Sequence, residues 1–137
     1  MLLLADLTTP TDEPRAIALY RSALAVDGSN VIALNNLAYL LAKDNPDEAV
    51  KFAQQAMELV PDNPDVQDTL GWVYYRKGMY KIAIHHLKTA FEKQPTPVRQ
   101  FHLGMTYLKL ADSARGRQLV QSAVRQEPNL LKTERAW

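Results

Sequence analysis

Histidine is the side chain that most often supplies acid, base or metal chemistry near neutral pH, and the sequence contains three. His85 and His86 are adjacent, so on a helix their side chains would point about 100° apart and would not readily share a metal ion. His102 belongs to a different segment, with no aspartate or glutamate at ligand spacing nearby. The sequence therefore predicts three partly exposed surface histidines.

Other catalytic groups are poorly represented. The chain has no cysteine, which excludes thiolate zinc ligands, cysteine nucleophiles and disulfides. It also lacks a glycine-rich phosphate loop, a nucleophile elbow and a metal-binding helix motif. Most carboxylates of the first half fall at turns and helix starts, where solvation explains them. We therefore predict that the protein is not an enzyme and has no catalytic residues, no metal site and no cofactor.

Charged residues offer a different chemistry, the recognition of a partner of opposite charge. The net charge is only +1, but residues 1–70 hold four basic and eleven acidic side chains, whereas residues 71–137 hold twelve basic and four acidic ones. One interpretation is that charged residues are distributed by chance among solvated surface positions, without a function. The other is an electrostatic dipole whose basic end favours an acidic partner or the acidic end of another copy.

Length and composition define the scaffold that must position these side chains. The 137 residues are 47% apolar and 23% charged, as in globular proteins. The longest apolar run, Leu37 to Ala42, is too short to span a bilayer, and Met1 to Leu4 lacks the basic lead-in and length of a secretory signal. We predict a folded domain without a membrane span. Its compartment stays open, either cytoplasmic or periplasmic if the chain is part of a longer bacterial protein.

Apolar residues recur at helical spacing, and the helical segments themselves repeat. Proline or glycine stops fall at nearly equal intervals along the chain, at Gly28, Pro61, Pro95 and Pro128. Small residues precede the stops by twelve and by five positions, at Ala16, Ala49, Ala83, Gly116, Ala23, Ala56, Ala90 and Ala123. A second series with the same repeat length comprises Ala38, Gly71 and Gly104. Small residues in register indicate helix hairpins whose backbones cross closely.

Residues typical of helix N-termini predict where the helices begin. Asn63-Pro64 and Thr96-Pro97 are typical of an N-cap followed by proline in the first turn, and Asn45 to Glu48 places acidic residues at a helix N-terminus. We therefore predict helices near residues 13–27, 30–43, 47–59, 63–77, 80–93, 97–110 and 113–126, with a short terminal helix over 129–137. The units are a truncated repeat (1–29), three repeats (30–62, 63–96 and 97–128) and a C-terminal cap (129–137).

These residues resemble the tetratricopeptide repeat family, whose 34-residue helix–turn–helix unit has Trp, Leu, Gly and Tyr in its first helix and Ala, Phe, Ala and Pro in its second. The match is best from Leu70-Gly71-Trp72-Val73-Tyr74 through Ala83, Leu87, Ala90 and Pro95. The sequence departs from the pattern at the first Trp position, which holds Leu34, Gln67 and Gln100. The phrase Asp68 to Trp72 also resembles bacterial repeat proteins of exopolysaccharide and protein-sorting systems.

The resemblance implies an all-α, right-handed superhelical solenoid of about 3.5 repeats, whose concave wall is built from the first helix of each pair. It implies a non-catalytic module that binds a peptide or helix of a partner protein. Helical spacing along those first helices selects one inward face. The predicted partner-binding residues are Asn35, Tyr39, Asp68, Trp72, Tyr75, Arg76, Phe101, Met105 and Lys109. The alternative for Trp72 or Met105 is packing against the neighbouring helix.

Lys43, Arg76 and Lys109 recur once per repeat near the ends of these helices. They either interact with helix C-terminal dipoles or form a row of cations along one rim. The family's carboxylate-clamp ligands are not expected, because Asp68, Gln100 and Phe101 stand where clamp residues would be. Two alternatives to groove binding remain: head-to-tail or swapped self-association, and a helical repeat that binds nucleic acid through its basic half.

The first unit is incomplete, since only Met1–Leu7 is left for its first helix. A repeat cannot bury its apolar face alone. Either Leu2, Leu3 and Leu4 form a sufficient stub, or the chain is cut from a longer array, which is the interpretation we favour. At the other end, Leu130, Leu131 and Trp137 are expected to form a cap over the last hairpin.

Overall fold

The computed structural model describes residues 12–134, with side chains to residue 132, and this part of the chain is entirely helical outside its turns. The helices are α1 (Glu13–Val26), α2 (Val31–Leu41), α3 (Pro46–Leu59), α4 (Pro64–Arg76), α5 (Tyr80–Lys93), α6 (Pro97–Lys109), α7 (Ser113–Gln126) and α8 (Leu130–Glu134). The seven predicted long helices are confirmed, with small shifts of their ends. The predicted stub at Met1–Leu7 and the part of the cap that includes Trp137 lie outside the described residues.

Each predicted N-terminal signal forms the cap that its sequence requires. The Asn63 carboxamide accepts hydrogen bonds from the amides of Asp65 and Val66, and the Thr96 hydroxyl accepts one from the amide of Arg99. Asn45 caps α3 by accepting from the amide of Glu48. These bonds satisfy amides that the first helical turn leaves without partners. The helices α4 and α6 therefore begin at equivalent positions of successive repeats.

Small residues set the distance between the paired helices. A Cβ added to Gly71 would lie 2.6 Å from Leu87 Cγ, and one added to Gly104 would lie 2.9 Å from Leu119 Cβ. A Cβ at Gly116 would meet the Gly104 carbonyl oxygen at 2.9 Å. Since these separations are shorter than van der Waals contact, the helices cross where glycine stands. The predicted role of the small residues is confirmed at these three glycines.

The helices form an array of antiparallel pairs. α2 packs on α3, α4 on α5 and α6 on α7, while α3 and α5 also contact the first helix of the next pair. α2 touches α4 and α4 touches α6, so the first helices lie side by side along one surface. This architecture is an all-α solenoid of helix pairs. Within the described part of the chain, no helix is both long and apolar enough to cross a membrane.

Candidate partner-binding groove

A groove of about 660 Å³ opens where the first helices α2, α4 and α6 lie side by side. α4 and α6 contribute residues from their N-terminal halves, α2 contributes residues from Val31 to Tyr39, and residues that precede α4 and α6 complete the wall. The lining comprises Val31, Ile32, Asn35, Asn36, Tyr39, Asn63, Asp65, Val66, Asp68, Thr69, Gln94, Thr96, Val98 and Arg99. Its volume lies within the range of about 300–1,000 Å³ that is typical of ligand pockets in proteins.

Three of the nine predicted partner-binding residues line this groove: Asn35, Tyr39 and Asp68. Asn35 and Tyr39 are half-buried on α2, whereas Asp68 is buried on α4. The side-chain oxygen of Asn35, Oδ1, is buried and has no hydrogen-bond partner among the described residues. A buried acceptor without a donor costs about 1–3 kcal/mol, so Asn35 is a position where a ligand N–H would be favourable.

A buried histidine donates a hydrogen bond to the Asp68 carboxylate. His102 Nδ1 lies 2.9 and 3.1 Å from the two carboxylate oxygens, and the imidazole is completely buried. Since a carboxylate only accepts hydrogen bonds, Nδ1 carries the proton that it donates. The prediction of a partly exposed His102 without an acidic partner is wrong. Asp68 and His102 lie in successive repeats, so local spacing could not reveal their contact.

A second polar contact, at the groove edge, also joins successive repeats. The Arg99 guanidinium pairs with Asp65, and its Nη1 donates to the Gln94 carbonyl oxygen at 3.0 Å. The Arg99 side chain is only 7% exposed, and its Nε has no hydrogen-bond partner among the described residues. α4 and α6 are therefore joined by two polar contacts, both of which contribute to the groove.

Trp72, Tyr75 and Arg76 lie outside the groove lining. Trp72 stacks on His102 with ring centroids 4.0 Å apart and on Tyr75 with centroids 4.4 Å apart, and both Trp72 and Tyr75 are buried. The Arg76 guanidinium lies 5.3 Å from the centre of the Trp72 ring, within reach of a cation–π interaction. In this arrangement Trp72 packs against the neighbouring helix, which is the alternative left open above.

The three predicted positions on α6 also lie outside the lining. Phe101 is completely buried in a cluster with Ala123 and Leu130, and Met105 is half-buried between that cluster and the one around Trp72. Lys109 is exposed at the last residue of α6, and Arg76 ends α4, whereas Lys43 lies beyond the end of α2. No observation tests whether these residues bind a partner, so that role stays a prediction.

Several groove residues were not predicted although their register was visible. Ile32, Asp65 and Val98 line the groove at equivalent positions of three repeats, and Asn36 and Thr69 do so in two. The same register had identified the small residues at the helix crossings. Extending it to the positions six and two residues before each crossing residue of α2, α4 and α6 would have found these residues. Arg99 could not be found this way, because its role depends on its pairing with Asp65.

The described side chains contain no group of three or more histidine and carboxylate residues that could hold a metal ion. His85 is exposed and His86 is half-buried, as predicted. Burial lowers the pKa of His86, which stacks on Tyr74 with centroids 5.9 Å apart. The polar and charged residues of the groove lining can form hydrogen bonds and ion pairs.

Two family models match the chain, both described as tetratricopeptide repeat, over residues 14–64 and 40–105. Together they cover residues 14–105, which is more than half of the sequence.

Two curated relatives are similar to parts of this chain. A TPR repeat-containing protein of Pseudomonas aeruginosa is 35% identical over 86 residues, and the BBSome complex member BBS4 of Bos taurus is 34% identical over 56 residues. These stretches cover 61% and 41% of this chain but only 15% and 11% of the relatives. The chain thus corresponds to a small part of each relative.

Solved structures show the same fold at low identity. MamA is 18% identical with a TM-score of 0.69 over 96% of this chain and 79% of its own. A thermophilic TPR protein of Thermus thermophilus is 19% identical with a TM-score of 0.70, over 88% of this chain and 69% of its own. YrrB, described as a TPR protein with an unusual peptide-binding site, is 19% identical with a TM-score of 0.58, over 98% and 89%. With the paired helices, the repeat register and the family matches in agreement, the chain belongs to the tetratricopeptide repeat family.

Proposed function

We propose that this protein is a non-catalytic interaction module that binds an extended or helical segment of a partner protein in the groove of α2, α4 and α6. The single observation that carries the proposal is the groove itself, about 660 Å³ in volume and lined from three successive first helices. Such a surface spans more than one repeat, so it suits a segment of several residues. YrrB, which shares the fold, is described as having a peptide-binding site.

The groove lining combines apolar and polar groups as binding sites do. Ile32 is 55% exposed on α2 and lies beside Asn35, whose Oδ1 has no hydrogen-bond partner among the described residues. A partner segment that covers this position buries apolar surface and satisfies a buried acceptor together. Trp72 and Tyr75 support the floor through the stack that ends at His102 and Asp68.

The proposal is tested by selecting peptides from a random 12-residue display library on the intact chain and measuring their affinities for groove variants. Ile32→Ser removes an apolar contact from the groove, whereas Ile82→Ser makes the same change on α5 at a residue of similar exposure, 42%. We expect Ile32→Ser to weaken binding about tenfold or more, because an anchoring side chain contributes roughly 1–3 kcal/mol. Ile82→Ser should leave the affinity unchanged. Equal effects of the two substitutions would contradict the proposal.

Self-association is the second candidate function, and the charge distribution favours it. Helix α7 carries Arg115, Arg117 and Arg125 without an acidic residue, and all three side chains are exposed. The acidic first half of a second copy would complement this surface. The same exposed arginines leave the nucleic-acid alternative open, although the acidic half would repel phosphates.

A further inference from the structure

The groove lining contains side-chain hydrogen-bond acceptors with unused capacity. The Asp68 carboxylate receives one N–H from His102, which leaves capacity for further donors, and its side chain is 10% exposed at the groove wall. Asn35 holds the same register position on α2, one repeat earlier in the chain, and its buried Oδ1 has no hydrogen-bond partner among the described residues. Two acceptors thus stand at equivalent positions of neighbouring first helices.

The charges of the lining point the same way. The lining contains two acidic residues, Asp65 and Asp68, and one basic residue, Arg99. Arg99 is paired with Asp65, so their charges offset each other. The other acid of the lining, Asp68, accepts a hydrogen bond from His102, which lies outside the lining, and with a neutral imidazole as donor the carboxylate keeps its negative charge. A ligand carboxylate placed here would meet repulsion, whereas an ammonium or guanidinium group would meet attraction.

The lining also contains one donor that suits a polypeptide main chain. Arg99 is more than nine-tenths buried, and its Nε–H has no hydrogen-bond partner among the described residues. A neutral acceptor such as a peptide carbonyl would satisfy this N–H without disturbing the ion pair with Asp65. Ile32 also lines the groove and offers apolar surface to a neighbouring side chain.

We infer that the groove selects a partner segment with a lysine or arginine side chain, which Asp68 receives, next to an apolar residue that packs on Ile32. This inference rests on the proposed function and specifies its ligand. Asp68 is the specificity-determining residue, and Asn35 assists as a neutral acceptor. An acidic segment is the opposite ligand class, and the groove disfavours it.

The test compares the composition and affinity of peptides selected from the random 12-residue library on the intact chain. We expect the selected peptides to be enriched in lysine and arginine over the library and depleted in aspartate and glutamate. Asp68→Asn keeps the shape and removes the charge, so the affinity for a lysine-containing peptide should fall about tenfold. Asp44→Asn is the matched control, because Asp44 is exposed in the α2–α3 turn outside the groove lining.

A second variant, expected to bind more tightly, tests the inference even if Asp68→Asn folds poorly. Asn35→Asp adds a second carboxylate at the equivalent position, and we expect it to tighten binding of the lysine-containing peptide several-fold. Peptides that are acidic, or that bind Asp68→Asn as well as the unaltered chain, would overturn the inference while leaving groove binding intact, provided that Ile32→Ser still weakens them. Failure to select any peptide, or selection of peptides indifferent to Ile32→Ser, would contradict the proposed function as well.

Discussion

At the scale of single residues, the contact between Asp68 and His102 explains how the groove obtains its polar wall. The Asp68 side chain is only 10% exposed, and its carboxylate is stabilised because a buried imidazole donates to it. That imidazole stacks on Trp72. Removing one member of a buried pair usually costs more than removing both. The histidine therefore matters through the acid that it orients, and sequence spacing could not show this because the two residues belong to different repeats.

His102→Phe should lower the free energy of unfolding by about 2–3 kcal/mol, because it keeps a ring on Trp72 but leaves the Asp68 carboxylate without its donor. Adding Asp68→Leu should restore about 1 kcal/mol or more, since the carboxylate that lacks a donor is then gone. Urea denaturation of the single and double variants measures both quantities. Purely additive losses would contradict a coupling between the two side chains.

At the scale of the helices, the sequence predicted almost everything that local chemistry controls. The caps at Asn45, Asn63 and Thr96 and the close crossing at Gly71 were visible because each depends on one residue type at one position. The orientation of Trp72 was not visible. A residue on an inward helical face can either line a groove or pack on the next helix, and only the helix–helix distance decides between them.

Two turns at equivalent positions differ in how well their residue suits the backbone. Gly78 between α4 and α5 has φ of 86°, and Ala111 between α6 and α7 has φ of 66°. A left-handed conformation costs an alanine roughly 1 kcal/mol relative to glycine. Ala111→Gly should therefore raise the free energy of unfolding by about 0.5–1 kcal/mol.

Gly78→Ala is the matched control for this turn. No atom lies within 4 Å of the added Cβ, so the substitution causes no steric clash and adds only the cost of a positive φ. We expect the free energy of unfolding to fall by about 1 kcal/mol. Thermal or urea unfolding of both variants measures the effect. A neutral Gly78→Ala, or a destabilising Ala111→Gly, would show that the turns do not carry this strain.

At the scale of the whole molecule, acidic residues of the first half pair with basic residues of the second half. Asp47 contacts Lys77 at 3.1 Å, Asp62 contacts Lys93 at 3.5 Å, and Asp65 pairs with Arg99. The charge asymmetry thus links neighbouring units within the chain. Arg115 of α7 is paired with Asp112, so the exposed Arg117 and Arg125 are the cations of α7 best placed to contact another molecule.

We expect the chain to self-associate at about 0.01 M salt and to be monomeric at about 1 M, where the Debye length falls from roughly 30 Å to roughly 3 Å. Sedimentation velocity measures the change. Reversing the charges at Arg117 and Arg125, both exposed on α7, should abolish the association at low salt. An identical monomer at both salt concentrations would remove the self-association candidate.

The most direct test of the groove as the partner-binding surface is a titration of the ¹⁵N-labelled chain with a selected peptide, followed by NMR amide shifts. The account predicts shift changes concentrated at the N-terminal halves of α2, α4 and α6, with Ile32, Asn35 and Asp68 among the most affected. Changes concentrated on the second helices α3, α5 and α7, with the first helices unaffected, would contradict it.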